Sequence, residues 1–396
     1  MVVIGAGLAG LTAAATAARA GRRVVVIERH GGGGRARTDS RGGYRFNQGP
    51  HALYRGGPAW AILAEMGVPH RGHRPPLRGA RGVRDGALVR LAGAPLARFT
   101  AQLAVASARR WSGRTAEEWV ESLRGGPDVA GMAVRVSTYV ADLGALPADL
   151  AITQLKLGLL RGVSYLDGGW ASLVDGLASA VSAAGGTIRR HQTVTGINAV
   201  PGGWEVALSD GEDLRAAAVV VAAGSPAASR RLLGIDPGWD NIGPAVRAAC
   251  LDLGVRGLRL PLVFGLDQPL YLARHSPPGD LAPEGGSVVH VMRYGPRDAD
   301  TDRRELRDHA RLAGVGDDHI VEERFLADMV VTHLLPDPRS GLAGRPGVVV
   351  ADGLYLAGDW VGPTGWLADA AMASGRHAGT LAAGAGIGRP AYHRVP

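Results

Sequence analysis

Three observations predict an α/β fold for this 396-residue chain. An apolar strand runs into a glycine-spaced turn and an alanine-rich helix at the N-terminus. A strand–helix rhythm returns between residues 165 and 223, and a last strand–turn–helix unit fills residues 353 to 384.

In the first unit Val2, Val3 and Ile4 form the strand and Gly5 to Gly10 the turn. Gly5 makes the tight bend, Gly7 lets a pyrophosphate approach the backbone, and Gly10 lets helix and strand pack closely. The helix N-terminus offers unpaired N–H groups and the positive end of its dipole to phosphates. A second strand, Val24 to Ile27, ends at Glu28, eighteen residues past Gly10. A carboxylate there accepts hydrogen bonds from an adenosine ribose and repels a 2′-phosphate. These elements in this order predict a dinucleotide site.

The middle of the chain is less regular. A glycine run, Gly31 to Gly34, precedes Arg35 and Thr38, and the turn from Asn47 to His51 follows. Trp60, Leu63 and Met66 set a helix over 58–67. Residues 71–93 read as loops and short strands. Leu96, Phe99, Leu103 and Ala106 share one face of a helix over 95–111, with Arg98, Arg109 and Arg110 beside it. Further helix is predicted over 115–124 and 128–160. After the turn at Gly168 and Gly169, a helix spans 170–184. Strands follow at Thr187 to Val194, Trp204 to Ser209 and Leu214 to Ala223, with Asp210 and Gly211 as a hairpin signal. A second irregular block, 245–335, holds strands near 246–256, 262–274 and 287–292 and a charged helix near 301–313. The closing unit is the strand Leu354 to Ala357, the turn Gly358–Asp359 and a helix over 366–384.

Composition narrows the function classes. The net charge is +8, and Lys156 is the only lysine. The arginines are spread without a nucleic-acid-binding module, so no nucleic acid partner is expected. Cys250 is the only cysteine, which excludes an intramolecular disulfide, a dithiol mechanism and a cysteine-based metal cluster. The histidines have no metal-ligand spacing, and no metal is expected. No stretch gives eighteen unbroken apolar residues, so no membrane span and a cytoplasmic location are expected. The first strand starts abruptly, leaving room for a few residues before Met1. The 95–111 helix reads as a wall of a substrate domain, with peripheral contact to an anionic membrane surface as the alternative.

Four signatures resemble the FAD-dependent amine oxidase and phytoene desaturase superfamily. They are the glycine turn with Glu28; Gly33-Gly34-Arg35 with Thr38 and the stretch from Phe46 to Tyr54; Tyr165 to Leu177 leading into Val194; and Leu354 to Gly379. They cover about half of the chain, in the superfamily's order. The resemblance implies a discontinuous, Rossmann-like FAD-binding domain over 1–75, 160–240 and 345–390. An inserted α+β substrate domain would take 76–159 and 241–344. It places Gly5, Gly7 and Gly10 at the pyrophosphate and Glu28 at the ribose. Gly34 and Arg35 would lie along the middle of the cofactor and Val194 at the adenine. Gly358 and Asp359 would meet the ribityl and phosphate region, and Trp366, Leu367 and Ala368 the flavin ring.

The activity implied is hydride transfer from a substrate C–H to flavin N5, desaturating a lipophilic or natural-product scaffold. Amine oxidation is the alternative, and a non-redox escort protein on the same fold is the reading from another class. Amine oxidases usually carry a lysine near N5; residues 246–275 have none. Trp366 stands where such enzymes often place one wall of an aromatic cage. His51 reads either as the acid–base group beside the ring or as a cap on its turn. Trp170 reads as core and Trp360 as packing under the cofactor. No second full glycine fingerprint exists, so oxygen or a quinone is the expected electron acceptor.

Overall fold

The computed structural model describes residues 1–384 apart from 92, 125–126, 235–237, 240–241 and 259. Its first sheet runs in the order Thr187–Arg190, Val25–Glu28, Val2–Ile4, Val219–Val221, Leu354–Leu356, Val349–Ala351. All neighbours are parallel except the last pair. Parallel strands need crossover connections that cover the sheet, which is why Val2–Ile4 and Val219–Val221 are unbroken apolar runs. The helix Leu8–Arg19 returns across this sheet and packs against Ala171–Ala183 and Ala368–Gly384. Its buried face is mostly alanine: Ala13, Ala14, Ala15 and Ala17 are all fully buried. On the facing helix Gly375 and Gly379 lie against the carbonyl oxygens of Ala9 and Ala13, where any Cβ would collide. Small residues on both sides let the two helices nearly touch.

An antiparallel ribbon of Val194–Val200, Gly203–Leu208 and Asp213–Ala216 is appended. The larger sheet has seven strands, in the order Ile320–Thr332, Val246–Arg256, Gly286–Tyr294, Leu270–Ser276, Leu262–Gly265, Arg81–Arg84, Ala87–Arg90. The charged helix Ala299–Leu312 covers it through Leu306 and Ala310. A helical layer of Ala94–Val105, Ala116–Glu121, Pro127–Thr138 and Ala148–Lys156 packs around Phe99, Leu103, Trp119 and Leu155.

Several sequence boundaries need correction. The strand expected over Thr187 to Val194 stops at Arg190, because His191 takes φ +58°, and a new strand begins at Val194. The strand expected over Leu214 to Ala223 is two strands in two sheets. Ala216, Ala217 and Ala218 carry the chain between them, and their apolar character hides the break. The helix over 128–160 divides into Pro127–Thr138 and Ala148–Lys156, followed by a wide turn of π type at Leu157–Arg161. Tyr139 at φ +64° ends the first piece, and Pro147 lacks the N–H that a helix interior needs. The 95–111 helix ends at Val105 before a short 3₁₀ turn, and the 262–274 segment is two strands.

Ile320–Thr332, thirteen residues, went unseen in the sequence. Glu322, Glu323, Arg324 and Asp328 mask its alternation. Glu323 is neutralised by Arg303 and Arg307 from the charged helix, and Arg324 is buried against Asp252. The Gly384 to Gly388 run falls outside the described residues after Gly384.

The glycine contact between the first and last helices yields a direct expectation. Gly379→Val should destabilise the protein by about 2–3 kcal/mol, because backbone on the other side cannot yield. Gly384→Ala, with open space around it, should stay within about 0.5 kcal/mol of wild type. Urea unfolding of both variants makes the comparison; equal midpoints would remove the close contact.

Candidate active site

Between the parallel sheet, the large sheet and the helical layer lies a cavity of about 890 Å³. It is lined by Gly5, Gly7, Glu28, Gly34, Arg35, His51, Val194, Gly358, Asp359, Trp366, Leu367 and Ala368. These come from distant stretches of sequence. Gly10 stays outside it: a Cβ there would strike the Gly5 carbonyl oxygen, so its hydrogen serves helix–strand packing.

One end of the cavity is built for a phosphate ester. Gly5 has φ +103° and sits against the Ala222 carbonyl, whereas a Cβ on Gly7 would meet nothing within 4 Å. The following helix has no side-chain cap and no acid in its first turn, so its leading N–H groups point into the cavity uncompensated. Glu28 accepts from the backbone N–H of Ala6 at 2.7 Å and of His30 at 2.8 Å. Each of its oxygens keeps a second lone pair for a hydroxyl donor. These features fit a dinucleotide such as FAD.

At mid-cavity Arg35 meets Asp359 side-on. One guanidinium nitrogen donates to Asp359 Oδ2 at 2.9 Å and to the Val331 carbonyl at 2.8 Å, and the other lies 2.8 Å from Oδ1. The backbone N–H of His333 donates to Oδ2 at 2.9 Å, and its Nδ1 lies 3.0 Å from Oδ1. Burial alone would raise the Asp359 pKa, but Arg35 and His333 overcome it and hold the carboxyl well below the usual range. His333 had no sequence signal. It follows the strand that sequence reasoning missed.

At the far end His51 Nδ1 lies 3.1 Å from the Gly49 carbonyl, and its ring meets the Trp170 edge at 4.8 Å between centroids. A carbonyl can only accept, so Nδ1 carries the proton and Nε2 keeps the lone pair. Burial lowers the His51 pKa to about 4, and the ring is neutral at pH 7. Its turn is strongly fixed. Asn47 Oδ1 accepts from the Trp170 backbone N–H at 2.9 Å and from the Thr38 hydroxyl at 2.8 Å. Beneath the turn, Arg324 donates to the Asn47 carbonyl, Asp252 and Asp39. Cys250, Asp252 and His290 gather one ligand-type atom each within 4.8 Å. The Arg324 guanidinium already supplies the positive charge on Asp252, and the cluster is a hydrogen-bond network.

Trp366 is nearly fully buried, donates its indole N–H to the Thr138 carbonyl at 3.0 Å and lies under Arg345. With its one polar hydrogen committed, it serves as a wall. Tyr54 and Tyr139 also line this end, and burial pushes both hydroxyls up, so they stay protonated. Lys156 is remote in function: Nζ donates to the carbonyls of Ala104 and Ala106.

Asp369 was not singled out from sequence. It sits in the first turn of Ala368–Gly384, lines the cavity, and accepts the Ala59 N–H at 2.8 Å. Burial raises its pKa to about 6, partly opposed by that N–H. The folded chain therefore binds this proton more tightly than the unfolded one. The cost of the charge is complete above pH 6 and vanishes below the ordinary value of 3.8. Asp369→Asn, which keeps an acceptor for Ala59, should gain about 3 kcal/mol at pH 8 and less than about 1 kcal/mol at pH 4. Urea titrations at the two pH values read this directly. A gain that does not change with pH would exclude a buried charge as its source.

Comparison with known proteins agrees with this geometry. The family described as Flavin containing amine oxidoreductase matches residues 8–250. An oxidoreductase from Methanosarcina mazei superposes with a TM-score of 0.74 at 18% identity, covering 94% of this chain and 98% of that one. Cyclohexylamine oxidase from Brevibacterium oxydans gives 0.70 at 16% identity, covering 97% of both chains. A phytoene desaturase from Cercospora nicotianae is 43% identical over 68 residues, which is 17% of this chain and 11% of that relative.

Proposed function

The chain belongs to the flavin containing amine oxidoreductase family, and from that premise we propose that it is an FAD-dependent oxidoreductase that desaturates an apolar scaffold. The observation that carries the substrate class is the ring end of the cavity. His51, Tyr54, Tyr139, Trp170, Met329 and Leu367 surround it, and no lysine stands among them. The Tyr54 hydroxyl is spent on the Ser137 carbonyl at 2.8 Å and the Trp366 indole on Thr138. Beside the free His51 Nε2 and the unpartnered Trp170 indole N–H, what remains for a substrate is ring faces and aliphatic surface, which favours a largely apolar molecule.

Bound FAD would supply the hydride acceptor. The N-terminal amides of Leu8–Arg19 and the open side of Gly7 would hold its pyrophosphate. Glu28 would hold the ribose, Val194 the adenine, and Gly34 with Arg35 the middle of the molecule. Gly358 and Asp359 would orient the ribityl chain, and Asp359 reaches it already fixed by Arg35 and His333. Trp366, Leu367 and Ala368 would flank the ring, and Trp366 would exclude water. Loss of a hydride and a proton from adjacent carbons leaves a C=C bond, and His51 Nε2 would take the proton. Oxygen or a quinone is the proposed final acceptor.

Amine oxidation is the second reading, favoured by the family's description. It needs the same cofactor track but an amine-bearing carbon at the ring.

Two expectations follow. The protein should purify with FAD, and simple primary amines should fail to bleach it anaerobically. Rapid bleaching by such an amine would favour the second reading, and a colourless chain that takes up no FAD would overturn both.

With a reducing substrate in hand, His51→Gln should lower the rate of flavin reduction about 100-fold, as loss of a general base does, while FAD affinity stays the same. With Asp369 changed to Asn, which removes the other cavity group that titrates near 6, the rate should stay flat from pH 6 to 8, because His51 titrates near 4. A pH limb near the ordinary histidine value in that background, or an unchanged rate in His51→Gln, would remove His51 from the proton's path.

A further inference from the structure

Asp369 is a cavity-lining carboxylate that the reaction above leaves unused. It is 3% exposed. Its Oδ1 caps the helix Pro58–Glu65 from outside, since the N-cap Gly57 has no side chain to do so. Among the described residues no cation pairs with it. The groups on the elements packed around it are accounted for elsewhere. Tyr54, on the neighbouring strand, is protonated and bonded to Ser137. Glu65 and Arg376, farther along the two helices, pair with each other at 3.1 Å. His377 is exposed. Arg19 of the first helix donates to the Glu65 carbonyl. Arg55 is bonded to Ser164, and Arg345 donates to the Gly365 carbonyl through one nitrogen; its Nε and Nη2 are buried without a hydrogen-bond partner, and neither is paired with Asp369. A buried carboxyl with one hydrogen bond and no counterion is poised to change its protonation whenever the charge in the cavity changes.

We propose that Asp369 takes up a proton when the flavin bound in this cavity is reduced, so that one buried carboxyl sets the pH dependence of the flavin's potential. The proposal rests on FAD occupying the cavity, as argued above. Two electrons and one proton convert oxidised flavin to its reduced anion. A further proton from solvent converts the Asp369 carboxylate to the carboxylic acid, and the sum is two electrons and two protons. The physical cause is a second negative charge arriving in a water-poor space that already holds the first, where repulsion is poorly screened. Asp369 starts near half-protonation close to pH 6, and the added charge moves its titration upward across neutrality. The carboxyl thereby neutralises itself at the moment its charge would oppose reduction.

The test is the midpoint potential of the FAD-loaded protein between pH 5 and 8.5, followed by flavin absorbance during dithionite titration with a mediator dye. Wild type and Asp369→Asn are compared. In the wild type the potential should fall more steeply above pH 6 than in the variant. One extra proton changes the equilibrium tenfold per pH unit, which for two electrons is about 30 mV. The two curves should meet near pH 5, with the variant more positive at pH 8. Asp369→Ser, which keeps an acceptor for Ala59 and carries no charge, replaces the Asn variant if that one does not fold. Parallel curves across the range, with FAD fully bound, would overturn this proposal alone. A chain that binds no FAD would overturn it together with the function it rests on.

Discussion

The pairing of Arg35 with Asp359 is the contact on which the rest of the site depends. It joins residues 324 apart in sequence, one beside the first glycine turn and the other at the last. His333 and the Val331 carbonyl bring in the long strand of the second sheet at the same point. Removing Arg35 leaves the buried Asp359 carboxylate with His333 as its remaining partner. The cost is at most about 3 kcal/mol, because the Arg35 guanidinium is itself more than a third exposed and screened by solvent. That is a large share of the stability of an ordinary domain. The same contact therefore fixes the cavity's middle and clamps two sheets together. Any molecule threading the cavity meets a charge arrangement already complete, and it has little left to organise.

The ends of the cavity follow different physics. The glycine turn offers dipoles and open space, with little side-chain chemistry. The ring end offers aromatic and aliphatic surface, with the Tyr54 and Trp366 polar hydrogens already given to backbone carbonyls. Between them the polarity changes over a short distance. A ligand with a charged, hydrogen-bonding half and a flat, weakly polar half matches this gradient in one orientation only.

How much of this was legible in the sequence depended on how local each signal was. Gly5, Gly7, Gly10 and Glu28 lie within one strand–helix–strand unit, where spacing alone dictates the geometry; Gly5, Gly7 and Glu28 line the cavity, while Gly10, placed at the pyrophosphate by likeness to the family, lies in the helix–strand contact. Arg35, Asp359 and Trp366 were reached through likeness to a family, because nothing near them in sequence says that they meet. His333 and Asp369 were invisible for separate reasons. His333 follows Ile320–Thr332, a strand whose charged residues are paired across the fold and so break the expected alternation. An acid in the first turn of a helix is commonplace, and only the tertiary structure shows that this one is buried and turned inward. Where adjacent strands belong to different sheets, as at Ala216 to Ala218, apolar residues satisfy both neighbours and leave no mark of the crossing.

The seating of Ala368–Gly384 against Leu8–Arg19 has a consequence for how the molecule is made. The ribosome delivers the glycine turn well over three hundred residues before the helix that closes the cavity. At about 5–20 residues per second, the nascent chain spends roughly 20–70 seconds with its nucleotide pocket half built. During that interval the alanine face of Leu8–Arg19 gains Ala171–Ala183 but still lacks Ala368–Gly384, and Arg35 has no Asp359. Closure of the cavity thus waits for Ala368–Gly384, and a ribosome stalled before that helix holds a polypeptide whose glycine turn has no finished pocket behind it.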